Sequence, residues 1–400
     1  MSDNPSTETP DPGPLERLFA GGANDPIPVY REMHEKCPIA RTPGIFGEGV
    51  WLTRYEDVMW AFKHPEVFSS QDVVKIGNEV PLIPLSVDPP DHAKYRRLLD
   101  PQFSPKKMGE LEPEMRKLVN EVIDAFIDRG ACDFHEDFAT PLPSTFFIAL
   151  MGLPQSDLPR FLKWRDDTIR PDAATPEEAS EIRDATGKDI TAYFAQKIAE
   201  RRAGGDDGRL LGMLVDAEVE GRPLTHAELL GTCHLLMLGG LDTVTATLDC
   251  MIVYLAQHPE RRQAILDEPD LIPLAVEELL RHQTPVMMVP RKIVQDVELN
   301  GVQCRAGDTA TLLIGAADVD AAEFDGADEV RFDRGRNRHV AFGGGPHRCL
   351  GSHLARLELR VALEEFHRRI PAYEIPDGTD INFSPGIRQA DRLPLRFPVG

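Results

Sequence analysis

The sequence predicts a mainly α fold with a minor β region. Several stretches carry apolar residues at helical spacing, one long stretch is apolar on most sides, and only two stretches read as strand. In chain order, MSDNPSTETPDPGP has no basic or apolar run, so no secretory signal is expected there. Its Pro, Ser, Thr and Asp content predicts a disordered tail over residues 1–25. Residues 26–400 show no repeat or linker and read as one domain. VWLTRY is short and β-rich, and DPPDHAKYRRLLDPQF starts a helix near Pro89 and Pro90. EPEMRKLVNEVIDAFIDRG predicts a helix ending at Gly130; EEASEIRDATGKDITAYFAQKIAERRAGG predicts another, stopped by Gly204 and Gly205. Thr225, with Glu228 three residues on, is a capping-box start. The helix it opens extends to about His258, before Pro259, and its apolar character sends it across the core. LIPLAVEELLRHQ is a shorter helix stopping before Pro285. RKIVQDVELNGVQCRAGDTATLLIGA holds Asn300-Gly301, a hairpin turn between apolar runs. A glycine-rich loop then leads into the helical SHLARLELRVALEEF.

Composition bounds the function. A chain of 400 residues, 42% of them hydrophobic, can enclose a cofactor as well as its own core. A net charge of −22 argues against nucleic acid and against anionic membrane surfaces. Cys37, Cys132, Cys233, Cys250, Cys304 and Cys349 are scattered without CxxC spacing, which predicts a reducing, cytoplasmic compartment. The best candidate for a membrane span contains His234, Asp242 and Asp249, so none is expected.

The chemistry concentrates in FGGGPHRCLGSHLARLELRVALEEF. Gly343 to Pro346 forbid a helix before Cys349, and a cysteine at a helix N-terminus is favoured as a thiolate. The glycines would let a flat cofactor approach the backbone. Phosphate binding is less suited, because Arg348 stands where G-x-G-x-x-G needs its last glycine. His347, Cys349 and His353 could bind zinc, but a fourth ligand at standard spacing is missing. On local chemistry, a reactive or metal-bound Cys349 and a buried structural cysteine both remain open.

FGGGPHRCLG resembles the haem-binding loop F-x-x-G-x-x-x-C-x-G of the cytochrome P-450 family, with Phe342, Gly345, Cys349 and Gly351 in the four fixed positions. The resemblance implies that family's single-domain triangular fold, with Cys349 as axial ligand of haem b (iron protoporphyrin IX) and Phe342, Gly343, His347 and Gly351 against the cofactor. EELLR is similar to the family's E-x-x-R pair, here Glu278 and Arg281, which is buried and structural. LGGLDTV is similar to [AG]-G-x-[DE]-T. The functional reading is a kink where O₂ sits with a proton route beside it: Thr243 would then hydrogen-bond the oxygen being reduced, and Asp242 would relay protons. The bland reading of that segment is a packing notch, with Gly239 and Gly240 each costing roughly 1 kcal/mol of helix stability. DPPDHAKYR is similar to D-P-P-x-H-x-x-x-R, implying that His92 and Arg96, with Arg291 and His347, pair with the haem propionates; its bland reading is a solvated helix face.

The implied activity is monooxygenation with O₂ as co-substrate. A thiolate ligand pushes electron density onto iron and favours O–O cleavage. No flavin or nicotinamide motif is visible, so electrons come from outside. Seven arginines lie in residues 331–360 (Arg331, Arg334, Arg336, Arg338, Arg348, Arg356, Arg360), which predicts docking of an acidic iron–sulfur ferredoxin served by an NAD(P)H-dependent reductase. The chain is expected to be a monomer. The likeness is to soluble bacterial members of the camphor hydroxylase type and is densest from LGGLDTV to LPLRF. It implies a pocket lined by Val80, Leu82, Leu85, Leu235, Leu238, Gly239, Met287, Val289 and Ile387. Val80 replaces a tyrosine that holds a ketone in that type, and the apolar lining suits a terpenoid, a steroid-like molecule or a fatty-acyl chain. Arg388 could meet a carboxylate or face solvent. A haem-thiolate peroxygenase or a non-enzymatic haem sensor would need no such relay pair, and a zinc-binding structural protein would hold no haem.

Overall fold

The computed structural model describes residues 13–44, 47–204 and 208–399. Helices dominate, and the largest sheet has five strands in the order Ile39–Gly44, Gly47–Leu52, Thr309–Leu312, Val289–Ile293, Phe68–Ser69. Only the Gly47–Leu52 and Thr309–Leu312 pair is parallel. The β-rich VWLTRY is thus the end of a central strand. Asn300 and Gly301 both take positive φ between Val297–Leu299 and Val302–Cys304, the turn expected of that dipeptide.

The expected tail needs correcting. Residues 1–12 lie outside those described, but a short helix already forms at Pro14–Arg17. Leu18 and Ala23 are buried in the main core, and Arg17 pairs with Glu32 of the helix Ile27–Lys36. The apolar set Leu15, Leu18 and Phe19 anchors this segment against the polar composition around it.

Helix boundaries moved where a cap outranked a proline. The helix expected from EPEMRKL starts earlier, at Pro105, because Ser104 caps it, and it tolerates Pro113 inside. It ends at Asp124, and left-handed Gly130 closes the following turn. The helix before DPQF spans His92–Leu99 and so starts after both prolines. The helix Pro176–Gly204 reaches the first of its two predicted stops; Gly205 lies outside the described residues.

The capping box at Thr225 is present, but the long helix is two helices. His226–Leu241 and Thr243–Gln257 are separated by Asp242, whose φ of −120° departs from helix. By length and composition His226–Gln257 could cross a bilayer, yet 72% of its most apolar window is buried inside the protein. The second half packs against the helix Ser352–Arg369 that follows Cys349. The fold thereby puts the break at Asp242 and the cysteine loop at the ends of neighbouring helices.

Candidate active site

The cysteine loop is held by its own backbone. The Cys349 N–H donates to the Phe342 carbonyl at 2.8 Å, and Gly343 and Gly345 take positive φ. Two of the glycines answer to a neighbouring helix. A Cβ on Gly345 would meet the Phe62 carbonyl oxygen at 2.0 Å, and one on Gly344 would meet Met59 Sδ at 3.2 Å. Both contacts come from the helix Tyr55–Lys63. Gly351 differs, since a Cβ there would meet nothing within 4 Å.

Cys349 is surrounded by protein yet keeps an accessible surface, so that surface lines an internal cleft. Burial pushes its thiol up, while the Gly351 N–H and the guanidiniums of Arg96, Arg348 and Arg356 pull it down. Helix-end placement therefore does not by itself yield a thiolate here; a cation at sulfur would.

Beside this loop lies a buried cluster of basic side chains. The His92 and His347 rings are 4.2 Å apart, and the Nε2 of each is buried without a hydrogen-bond partner. Burial holds His92 at about 4, with Arg96 adding to the effect; burial together with His92, Arg291 and Arg96 holds His347 at about 3. Arg291 is buried, donates to the Pro290 carbonyl at 2.8 Å, and is lowered to about 10 by burial. The nearest carboxylate is Asp88, 3.8 Å from His347 Nε2 and already engaged by Ser69 and the Ser70 N–H. Two imidazoles with orphaned Nε2 atoms and a buried guanidinium in one place suit a dianionic ligand, so the residues fit a haem with its two propionates. Arg96 is otherwise employed: its Nη1 donates to the carbonyls of Arg348 at 2.7 Å and Pro346 at 3.3 Å, and its Nε donates to Asp100 at 2.7 Å.

In the long helix pair, Gly239 is exposed within the otherwise largely buried helix His226–Leu241, and a Cβ on it would meet nothing within 4 Å. Thr243 Oγ1 donates to the Gly239 carbonyl at 3.1 Å. Asp242 points elsewhere. It is fully buried, and Arg170, at the end of the helix Leu158–Ile169, grips it in both oxygens at 2.8 and 2.9 Å, with Arg165 Nε at 4.0 Å. Sequence reasoning missed Arg170, because nothing in the chain links it to a carboxylate 72 residues away.

The expected lining divides. Val80, Leu85, Leu235, Leu238, Val289 and Ile387 are partly accessible, whereas Leu82 and Met287 are fully buried. The Pro81 carbonyl presses onto Gly231, where a Cβ would lie 2.0 Å away, and this seats the loop that carries Val80 against the long helix. Val286 and Ile387 form an antiparallel bridge. Arg388 neither faces solvent nor offers itself to a carboxylate: buried, it donates to the Ala23 and Gln283 carbonyls and stacks on Phe383.

Glu278 and Arg281 form the buried pair expected of them, at 2.8 and 3.0 Å. The arginine-rich stretch is less free than its composition suggests. Arg331, Arg334, Arg338, Arg356 and Arg360 pair internally with Asp325, Glu278, Glu323, Glu277 and Glu112 respectively. Among the described residues, Arg336 and Arg348 are the two of the seven that have no acidic partner, and both are exposed.

A helical fold with a thiol-bearing loop beside buried basic side chains and a broken core helix suits a haem-thiolate class of protein, and comparison with known proteins shows the family. The family model for cytochrome P450 matches residues 165–369. The mycinamicin IV hydroxylase/epoxidase of Micromonospora griseorubida is 35% identical over 388 residues, 92% of this chain and 94% of that protein. The steroid C26-monooxygenase of Mycolicibacterium smegmatis is 32% identical, covering 94% and 93%. A myxobacterial cytochrome P450 solved in complex with myristic acid superposes with a TM-score of 0.88 at 30% identity, over 96% of this chain and 99% of that one. The chain belongs to the cytochrome P450 family. It is a haem-thiolate monooxygenase that acts on a small molecule and takes electrons from an external redox partner.

Proposed function

We propose that Cys349 ligates haem b and that the chain hydroxylates or epoxidises a bulky, largely apolar molecule. It does so as a single-domain cytoplasmic monomer supplied by an iron–sulfur ferredoxin. The observation that carries this reading is the accessible yet embedded Cys349 beside His92 and His347, each with an orphaned Nε2, and the buried Arg291. The last three would bind the propionates. Phe342, Gly343 and Gly351 would flank the ring, and Arg96 would act mainly by bracing the loop carbonyls on either side of His347. Thiolate-bound haem supplies O₂ activation and insertion of one oxygen atom into a C–H or C=C bond.

The protein's part is to exclude bulk water, orient the substrate and deliver two protons. Thr243 Oγ1 is the hydroxyl that meets the cleft, and the Asp242 carboxylate is the group beside it that can carry a proton. With Arg170 on both its oxygens, Asp242 reaches Thr243 only by giving up one of those bonds. A peroxygenase would need neither group.

The substrate class follows from the lining and from the company the chain keeps. Relatives are named for a macrolide, a steroid and methyl-branched lipids, and structural neighbours were solved with myristic acid and with testosterone. Titrating the holoenzyme with a monoterpene, testosterone and myristate tests this, with the haem spin state as readout. Saturable conversion with at least one of them, followed by an oxygenated product under electron supply, is expected; no conversion with any would contradict the apolar assignment.

The partner prediction narrows to Arg348 and Arg336. Arg348→Glu is expected to slow ferredoxin-driven reduction roughly ten-fold at low salt, and less at high salt, because a rim charge acts mainly on encounter. An unchanged rate at low salt would rule out docking at this face.

A further inference from the structure

Glu277 precedes Glu278 but serves different partners. Its Oε1 accepts from Arg356 Nε at 2.6 Å, and its Oε2 accepts from Arg356 Nη2 at 2.7 Å. Oε2 also lies 3.0 Å from His339 Nε2. Burial alone would raise this carboxyl, but the bonds from Arg356 and His339 hold it at about 2. Both partners then converge on one ring. The Arg356 guanidinium carbon sits 4.5 Å from the Phe342 centroid, and the His339 ring lies 6.0 Å from it. Phe342 in turn accepts the Cys349 N–H. One carboxylate on the helix Ile272–Gln283 thus fixes two side chains that bracket the residue closing the cysteine loop.

We infer that Glu277 is a positioning residue which, through Arg356 and His339, holds Phe342 and so sets the strength of Cys349 ligation. This rests on the reading of Cys349 as the haem ligand. Arginine is required in that arrangement because its planar fork takes both carboxylate oxygens while its guanidinium lies over the ring; a lysine ammonium is a point charge that cannot match the two oxygens and the ring face at once. The competing view is that Glu277–Arg356 is an ordinary partly exposed ion pair, with side chains 28% and 27% accessible, worth little to anything but local order.

Two charge-conserving variants separate these views. Arg356→Lys keeps the charge and loses the fork, and Glu277→Asp keeps the charge but is too short to hold both partners. The readouts are the reduction potential of the holoenzyme and the position and stability of its ferrous–CO band. Each variant is expected to shift the reduction equilibrium about three- to ten-fold, that is ~30–60 mV for one electron. In a Phe342→Leu background Arg356→Lys should add less than about two-fold, because the ring through which it acts is gone. Potentials within about two-fold of the parent for both variants would overturn the inference, and so would an equal shift with and without the ring. If Phe342→Leu does not retain haem, the two single variants decide alone. Failure of the ligand assignment is distinguishable, because the parent itself would then lack the thiolate-type CO band.

Discussion

Arg281→Ala is expected to destabilise the protein by about 3–5 kcal/mol and to leave it unable to retain haem. Arg281 has no exposed side-chain surface. It donates to both Glu278 oxygens and to the carbonyls of Asp318, Ala327 and Glu329, at 2.7 to 3.0 Å. Glu278 would not be left bare, since Arg334, Asn337 and the Arg331 N–H also donate to it. The carbonyls of Asp318 and Ala327 would be, while that of Glu329 keeps Arg334 Nη2 at 3.3 Å. Alanine cannot reach them, and buried acceptors without donors cost about 1–3 kcal/mol each. Those carbonyls belong to the segment leading into the cysteine loop, so loss of stability and loss of haem should appear together. Against a typical total of roughly 5–15 kcal/mol, such a change is close to disabling. Denaturant unfolding with haem absorbance followed in parallel checks it. A midpoint shift worth less than about 1 kcal/mol would show that the pair does not carry this load.

Asp242→Asn is expected to lower kcat about a hundred-fold while leaving substrate affinity nearly unchanged. The carboxylate is the ionisable group next to the hydroxyl that meets the cleft, and an amide of the same shape carries no proton. Asparagine also cannot neutralise Arg170, whose bidentate grip would fall to one acceptor. Thr243→Ala should act differently. It removes the Oγ1 donor without touching Arg170, so electron consumption should continue while oxygenated product falls and peroxide rises. Parallel measurement of NAD(P)H oxidation, product and peroxide separates the two. Full coupling in Thr243→Ala would remove the threonine from the proton path.

Particular residues show why parts of the molecule were legible in sequence and others were not. The capping box at Thr225, the turn at Asn300-Gly301 and the Glu278–Arg281 pair are local: their partners lie within four residues, so spacing carries the information. The cysteine loop was legible through an unbroken motif. The break at Asp242 was signalled by two glycines in an apolar helix, although composition suggested continuity. Arg170, Arg388 and the Glu277–Arg356 contact were illegible because each joins segments far apart in the chain, and an arginine has the same composition paired or free. The same blindness overcounted the basic face, where five of seven arginines proved to be committed to internal carboxylates. The close approach of the Phe62 carbonyl to Gly345 was illegible for the same reason, since Phe62 lies far away in the chain.

The central claim is that the Cys349 sulfur holds the iron. The ferrous–CO difference spectrum of the parent and of Cys349→His tests it most directly. The account predicts a Soret band displaced far to the red in the parent, as a thiolate ligand requires, and its replacement in Cys349→His by the band of a histidine-ligated haem, with monooxygenation lost. A parent without the displaced band, or a Cys349→His variant that keeps it, would contradict the account.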